Sequence, residues 1–264
     1  MKTFLFDMDG TLTRHRQKIN TDMCRRLISI LKNNRVGILS GAKFKDICDQ
    51  CGLLWDEVWA INLSNLYLLP CNGTQLYAWE NTNWKLHYKS DMAGSIGHEN
   101  FQILLRQITL AQMLYTNDED YLGDFYLTHD FIDYRESLLN WCPIGRSSSK
   151  KIRSKFVDLD TKKDARSEMR KTLKALLSRK GFDTSKVEIA KGGQTSLDIF
   201  PKGWNKTYSL KHFNASECWF VGDACEKGQN DYEIYEMLQK EKRSFKTQSP
   251  KETLTIIDNL LDFS

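Results

Sequence analysis

Apolar positions follow two rhythms along this chain. Short continuous runs that end in small or acidic residues predict buried strands, and apolar residues recurring every three or four positions predict helices. Thr3-Phe4-Leu5-Phe6 is the first such run, and Asp7-Met8-Asp9-Gly10 closes it. Residues 20–33 then carry Met23, Leu27, Ile30 and Leu31 at helical spacing behind Asn20, a residue suited to capping a helix N-terminus. Arg35-Val36-Gly37-Ile38-Leu39-Ser40-Gly41 predicts a second strand ending in small polar residues, and Phe44-Lys45-Asp46-Ile47-Cys48 starts a second helix. Strand and helix alternating at this pace predict an α/β fold with a doubly wound parallel sheet, in which ligands sit at the C-terminal tips of the strands. The same signature returns where Cys218-Trp219-Phe220-Val221 runs into Gly222-Asp223, with a helix predicted over residues 231–240.

Between residues 84 and 200 the rhythm changes. Tyr126 to Leu127, Phe131 to Tyr134 and Leu138 to Trp141 predict short strands in a meander, followed by a helix over 161–180 and a strand from Thr195 to Phe200. The pattern predicts an inserted α+β domain, residues 84–200, within a discontinuous core made of residues 1–83 and 201–264.

Composition narrows the class. With 264 residues and 41% hydrophobic content the chain can bury one large core or two modest ones. No stretch approaches the roughly 18 consecutive apolar residues of a membrane span, and Asp7 and Asp9 arrive too early for a signal-peptide apolar region. A cytoplasmic location is therefore expected. The seven cysteines are odd in number and scattered, which points to reduced thiols, and the lone Cys48-x-x-Cys51 pair does not make a zinc site. The formal charge of +4 names no partner, although residues 146–180 hold thirteen Lys or Arg against four acids. Ala165, Met169, Leu173 and Leu176 or Leu177 recur there at helical spacing, so a solvated lysine-rich helix face accounts for the excess better than a nucleic-acid surface.

The chemistry is concentrated at Asp7 and Asp9. If the strand ends at Asp7, a turn through Gly10 can bring Asp9 over the same site. A carboxylate that attacks phosphorus forms an acyl phosphate and splits one difficult transfer into two easier ones. Because an anion approaches an anion, the step calls for Mg2+, held by Asp7, the Asp9 carbonyl and a third carboxylate, for which Asp223 is the natural candidate. The Asp9 side chain is then available to protonate the leaving oxygen and deprotonate the incoming one.

Asp7-Met8-Asp9-Gly10-Thr11-Leu12-Thr13 resembles the first motif of the haloacid dehalogenase superfamily. Ser40 at a strand tip resembles the second motif, Lys206 the third, and Gly222-Asp223 through Asn230-Asp231 the fourth, with Asn230 and Asp231 as metal or loop support. The segments Asp133-Tyr134-Arg135, Asn140-Trp141-Cys142-Pro143-Ile144-Gly145-Arg146-Ser147, Arg153 and Gly192 through Lys206 are similar to the eukaryotic-type phosphomannomutases, as is Arg16-Gln17-Lys18-Ile19. The likeness spans residues 3–264. It implies a haloacid-dehalogenase-like core with an inserted cap, phosphate contacts from Arg16, Arg135, Arg146 and Arg153, hydroxyl recognition by Ser196 and Asp198, and a homodimer formed through the cap. Guanidinium forks suit such contacts, because they bind phosphate bidentately and stay charged.

Three segments depart from that family pattern. Ser40-Gly41-Ala42 stands in place of Gly-Gly-Ser, Cys71 replaces the acid of Pro-Glu-Asn-Gly, and residues 224–229 lack the family's Lys-Thr and Gly-Gly pairs. The resemblance implies a phosphohexomutase that interconverts hexose 1- and 6-phosphates through an aspartyl phosphate, with a hexose 1,6-bisphosphate as activator. Moving the hydroxyl to Ser40, the position used by the superfamily's sugar phosphatases, keeps a Mg2+-dependent sugar-phosphate phosphatase as the alternative. A non-catalytic nucleic-acid-binding protein is the reading from a different class, and the intact set Asp7, Asp9, Lys206 and Asp223 argues against it.

Overall fold

Strand β1 (Thr3–Asp7) is buried at all five positions, as a strand covered on both faces must be. In the computed structural model, which describes residues 1–56 and 63–262, it lies inside a sheet with β2 (Arg35–Leu39), β3 (Leu66–Leu69), β4 (Gln75–Glu80), β5 (Asn83–Lys89), β10 (Cys218–Gly222) and β11 (Ser244–Lys246). The order is β11-β10-β1-β2-β3-β4-β5. Pairing is parallel from β11 to β3 and antiparallel from β3 to β5.

Alternate residues feed two cores, because successive side chains on a strand point to opposite faces. Phe4, Phe6, Val36, Ile38, Leu66 and Leu68 join the helix Thr21–Leu31 on one side, and Leu5, Leu39, Leu69 and Phe220 meet Ile234 and Leu238 on the other. The first helix starts where its sequence predicts, with the Asn20 side chain accepting the Met23 N–H at 2.9 Å. Gly37 makes room within β2 for its neighbours: a Cβ there would lie 2.6 Å from Leu5 Cδ2 and 2.7 Å from Leu69 Cδ1.

The chain divides into two compact units, Met1–Ser90 with Trp204–Ser264, and Asp91–Gly203. Strand β5 pairs with β4 over its whole length, so the first unit extends to Ser90 rather than to residue 83. The second unit carries an antiparallel sheet of β6 (Ile132–Tyr134), β7 (Leu139–Trp141), β8 (Val187–Gly192) and β9 (Ser196–Pro201) in the order β6-β7-β9-β8. Trp141 is fully buried here, and its indole N–H donates to Gln112 at 2.7 Å.

Three details of the second unit differ from the pattern-based expectation. The helix expected over 161–180 is two helices, Lys150–Lys163 and Ala165–Arg179, broken at Asp164 in the left-handed conformation (φ 49°). The first of them buries only Phe156, so it leaves no apolar stripe to detect. Tyr126 and Leu127 form no strand, and Tyr126 is 81% exposed. A helix from His98 to Thr116 has no counterpart in the expectation, because Gln107 and Gln112 interrupt its buried face.

Candidate active site

The parallel strands deliver their C-terminal ends to one edge of the first unit's sheet. Asp7 closes β1, Ser40 follows β2, and Asp223 follows β10, while β2 and β10 are the two neighbours of β1. Directly after β3, Cys71 and Asn72 both adopt positive φ (52° and 63°). This turn folds back on the β2 tip: the Cys71 N–H donates to the Ala42 carbonyl at 3.0 Å and the Asn72 N–H to the Ser40 carbonyl at 2.9 Å. Ser40 Oγ accepts the Ala42 N–H at 3.1 Å, which fixes its hydroxyl at the strand tip. Cys71, which replaces an acid of the family pattern, is buried with its thiol 3.8 Å from the Ala42 carbonyl.

Lys206 opens a 3-10 helix capped by Asn205, whose side chain accepts the Thr207 N–H at 3.0 Å. The ammonium is 1% exposed and donates to both Asp7 Oδ1 and Asp231 Oδ1. Asp231 uses its second oxygen to accept the Ala224 N–H at 3.1 Å, and its own N–H donates to the Ala224 carbonyl at 3.1 Å. One buried carboxylate thus ties the lysine to the loop that carries Asp223. Asn230 adjoins it, half-buried.

Asp7, Asp223 and Asp231 each place an oxygen within 4.8 Å of the others. Burial, reinforced by the neighbouring acids and opposed by Lys206, raises the Asp7 carboxyl well above the usual carboxylate range. Asp223 is raised as well, first by burial and then by Asp231. Burial works against the charge of Lys206, but Asp231 and Asp7 outweigh it and keep the ammonium protonated. Three acids against one ammonium leave the cluster anionic, and it fits a hard divalent cation with oxygen ligands. Both Asp231 oxygens already hold donors, so Asp7 and Asp223 are the carboxylates best placed to take the ion.

Gly10 brings the first motif against this cluster. Its φ is 95°, and a Cβ there would collide with the Asp223 carboxylate. The Asp9 carboxylate instead accepts the Arg16 N–H at 2.8 Å, where Arg16 has a φ of 58° and an exposed side chain. Asp9 is thus held by the following loop, while Asp231 occupies the third position among the converging carboxylates.

A second polar cluster lies in the second unit. Asp133, Asn140 and Asp198 are in register across β6, β7 and β9. Asp133 accepts from Arg135 Nε at 3.0 Å and pairs with Arg146 at 3.5 Å. Asn140 Nδ2 donates to Ser196 Oγ at 2.9 Å and to Asp198 Oδ1 at 2.6 Å, while its Oδ1 accepts from Arg146 at 2.9 Å. Arg135, Arg146, Ser196 and Asp198 are therefore linked, through two residues to which the sequence reading gave no role. Arg153 is half-buried in the first turn of the helix Lys150–Lys163. Arg166 braces the turn before Ser196, donating to the Gly193 carbonyl at 2.8 Å and the Ser196 carbonyl at 3.3 Å, and it pairs with Asp160 at 2.9 Å.

Comparison with solved structures supports the fold. The Plasmodium falciparum IMP-nucleotidase superposes with a TM-score of 0.68 at 15% identity, over 99% of this chain and 68% of that one. The Aspergillus fumigatus trehalose-6-phosphate phosphatase superposes with a TM-score of 0.51 at 16% identity, over 99% and 93%. Sequence comparison is more specific. A phosphomannomutase of Encephalitozoon cuniculi is 32% identical over 98% of this chain and 93% of its own length, and human phosphomannomutase 1 is 32% identical over 88% and 82%. The family profile described as eukaryotic phosphomannomutase matches residues 23–263. A buried aspartate at a strand tip, a lysine from the far side of an inserted unit and a match of this length lead to one conclusion: the chain belongs to the eukaryotic phosphomannomutase family.

Proposed function

We propose that this protein interconverts hexose 1-phosphate and hexose 6-phosphate, with mannose or glucose as the sugar, by passing phosphate through Asp7. The observation that carries this reading is the buried Asp7 carboxylate at the β1 tip, held by Lys206 beside Asp223. Asp7 attacks phosphorus as the bond to the sugar oxygen breaks, and Lys206 offsets the charge of the resulting acyl phosphate. Asp9 gives its proton to the leaving oxygen and takes one from the hydroxyl that later attacks the aspartyl phosphate. Mg2+ held by Asp7 and Asp223 would neutralise the approaching phosphate.

In this reading the second unit is the cap, and Arg135, Arg146 and Arg153 grip the phosphate distal to the reacting one, with Arg16 adding a contact from the core. Ser196 and Asp198 recognise sugar hydroxyls. A hexose 1,6-bisphosphate primes the enzyme by phosphorylating Asp7. The working form is a cytoplasmic homodimer joined through the second unit, where Met113 and Leu114 stand 56% and 49% exposed on one helix.

The phosphatase reading is favoured by one observation, the fixed Ser40 hydroxyl at the β2 tip. One assay separates the two: mannose 1-phosphate or glucose 1-phosphate is incubated with Mg2+ and a trace of the matching 1,6-bisphosphate, and hexose 6-phosphate and free phosphate are both followed. The mutase yields isomer with little free phosphate, and Asp7→Asn abolishes it. Stoichiometric phosphate release without isomer replaces this reading with the phosphatase.

A further inference from the structure

Asn140 sits at a junction of opposite charges. Its amide is 3% exposed, between a guanidinium on one side and a carboxylate and a hydroxyl on the other. An amide is the side-chain group that can serve both, since its oxygen accepts while its nitrogen carries two donors. A carboxylate would hold Arg146 but meet Asp198 with no proton to donate, and an aliphatic side chain would make neither bond. In this position every amide atom is used: Oδ1 takes Arg146, and Nδ2 gives to Ser196 and Asp198.

The placement is also rigid. Asn140 is in a strand hydrogen-bonded on both sides, paired with Asp133 in β6 and Asp198 in β9. Ser196 is anchored a second time, its hydroxyl donating to the Gly192 carbonyl at 2.6 Å. Asp133 faces Arg146 as well, so the guanidinium is held from two neighbouring strands. Burying a polar group with every bond made costs little, whereas a buried network with one partner removed is left with unpaired donors and acceptors.

We infer that Asn140 is a positioning residue that sets the relative geometry of the phosphate-binding Arg146 and the hydroxyl-binding pair Ser196 and Asp198. This rests on the proposed hexose phosphate reading. Asn140 makes no contact with the reacting phosphate at Asp7 in this role. It acts by holding one cationic and one anionic contact at a fixed separation, which suits a ligand with a phosphate at one end and hydroxyls beside it.

The test compares wild type, Asn140→Asp and Asn140→Ala in steady-state kinetics on mannose 1-phosphate and glucose 1-phosphate at pH 7.5 and pH 5.5, with folding checked by circular dichroism. Both variants are expected to raise KM at least tenfold at pH 7.5 with kcat changed less than about threefold. The Asp variant then regains at least fivefold in KM, relative to wild type, at pH 5.5, because a proton shared between two facing carboxyls restores a donor. The Ala variant regains nothing. Unchanged KM in both variants beside an active wild type overturns the positioning role alone, as does equal behaviour of Asp and Ala across pH. If Asn140→Asp fails to fold, KM for Asn140→Ala decides. A wild type that neither isomerises nor hydrolyses either sugar phosphate overturns the functional reading and this inference with it.

Discussion

Lys206 and Asp7 meet as a buried ion pair across 199 positions of sequence. The lysine carries its charge into a site 1% exposed because two carboxylates, Asp7 and Asp231, share it. Such a pair is a poor source of net stability, since desolvation offsets most of the attraction, yet removing one member leaves the other charges uncompensated.

Lys206→Met is therefore expected to destabilise the first unit by about 3–5 kcal/mol and to abolish phosphoryl transfer. The folded-state pKa values of Asp7 and Asp223 already stand above the ordinary 3.8. A group raised in this way contributes stability that is complete below its unfolded pKa and lost as pH rises through its folded one. Without the ammonium both carboxyls are raised further, so the variant's melting temperature is highest in mild acid and falls more steeply towards neutrality than that of wild type. Thermal melts from pH 4 to pH 8 check this.

Mg2+ binding should release protons, more of them as pH is lowered, because the raised carboxyls of Asp7 and Asp223 must give up their protons to take the ion. Calorimetric titration in two buffers of different ionisation enthalpy reads the proton count directly. A ligand present at a hundred times its Kd stabilises by about 2.7 kcal/mol, and the melting temperature should rise accordingly. Asp223→Asn should remove both effects.

Asp130 anchors the segment that presents Arg146. Its carboxylate accepts from the Ser147 hydroxyl at 2.6 Å, the Ser147 N–H at 3.1 Å and the Thr128 hydroxyl at 2.9 Å. Burial opposes ionisation, but these hydrogen bonds outweigh it and hold the pKa down to about 2. A depressed carboxyl contributes stability above its unfolded pKa and loses it as pH falls through the folded one. The contribution is thus intact at neutral pH and disappears between about pH 4 and pH 2. Asp130→Asn should cost about 1–2 kcal/mol at pH 7, with the difference from wild type vanishing in acid denaturation.

Arg166→Met removes the brace between Asp160 and the turn at Gly193, where both charged side chains are about one-tenth exposed. The expected cost is about 3–5 kcal/mol in the second unit, read by urea denaturation. Replacing Arg166 and Asp160 together by apolar residues of similar volume should recover much of that loss, because no charge is then left buried alone.

The strands around the site were legible because a strand covered on both faces must be apolar throughout: β1, β2 and β10 announce themselves this way. Asp7, Ser40, Lys206 and Asp223 follow from what ends those strands and from the family likeness. Asp231 was read only as support, since nothing in a linear sequence shows that one carboxylate will hold both a lysine and a loop. Asp133 and Asn140 were given no role for a related reason. A half-buried acid and a buried amide look like ordinary strand residues until the register of β6, β7 and β9 aligns them. The helix His98–Thr116 escaped notice because Gln107 and Gln112 face its core, where Gln112 accepts from Trp141 and donates to the Pro143 carbonyl at 2.9 Å.

The interruption of the first unit by the second also orders events in time. During synthesis β1 emerges almost at once, but one of its two neighbours, β10, and the lysine that pairs with Asp7 come only after the whole of Asp91–Gly203 has been made. Until then the central strand has an open edge, and Asp7 lacks its counter-charge. The growing chain therefore cannot assemble the buried cluster of Asp7, Lys206 and Asp231 before the second unit has been made, so a nascent protein truncated before Lys206 lacks the charged centre of its first unit.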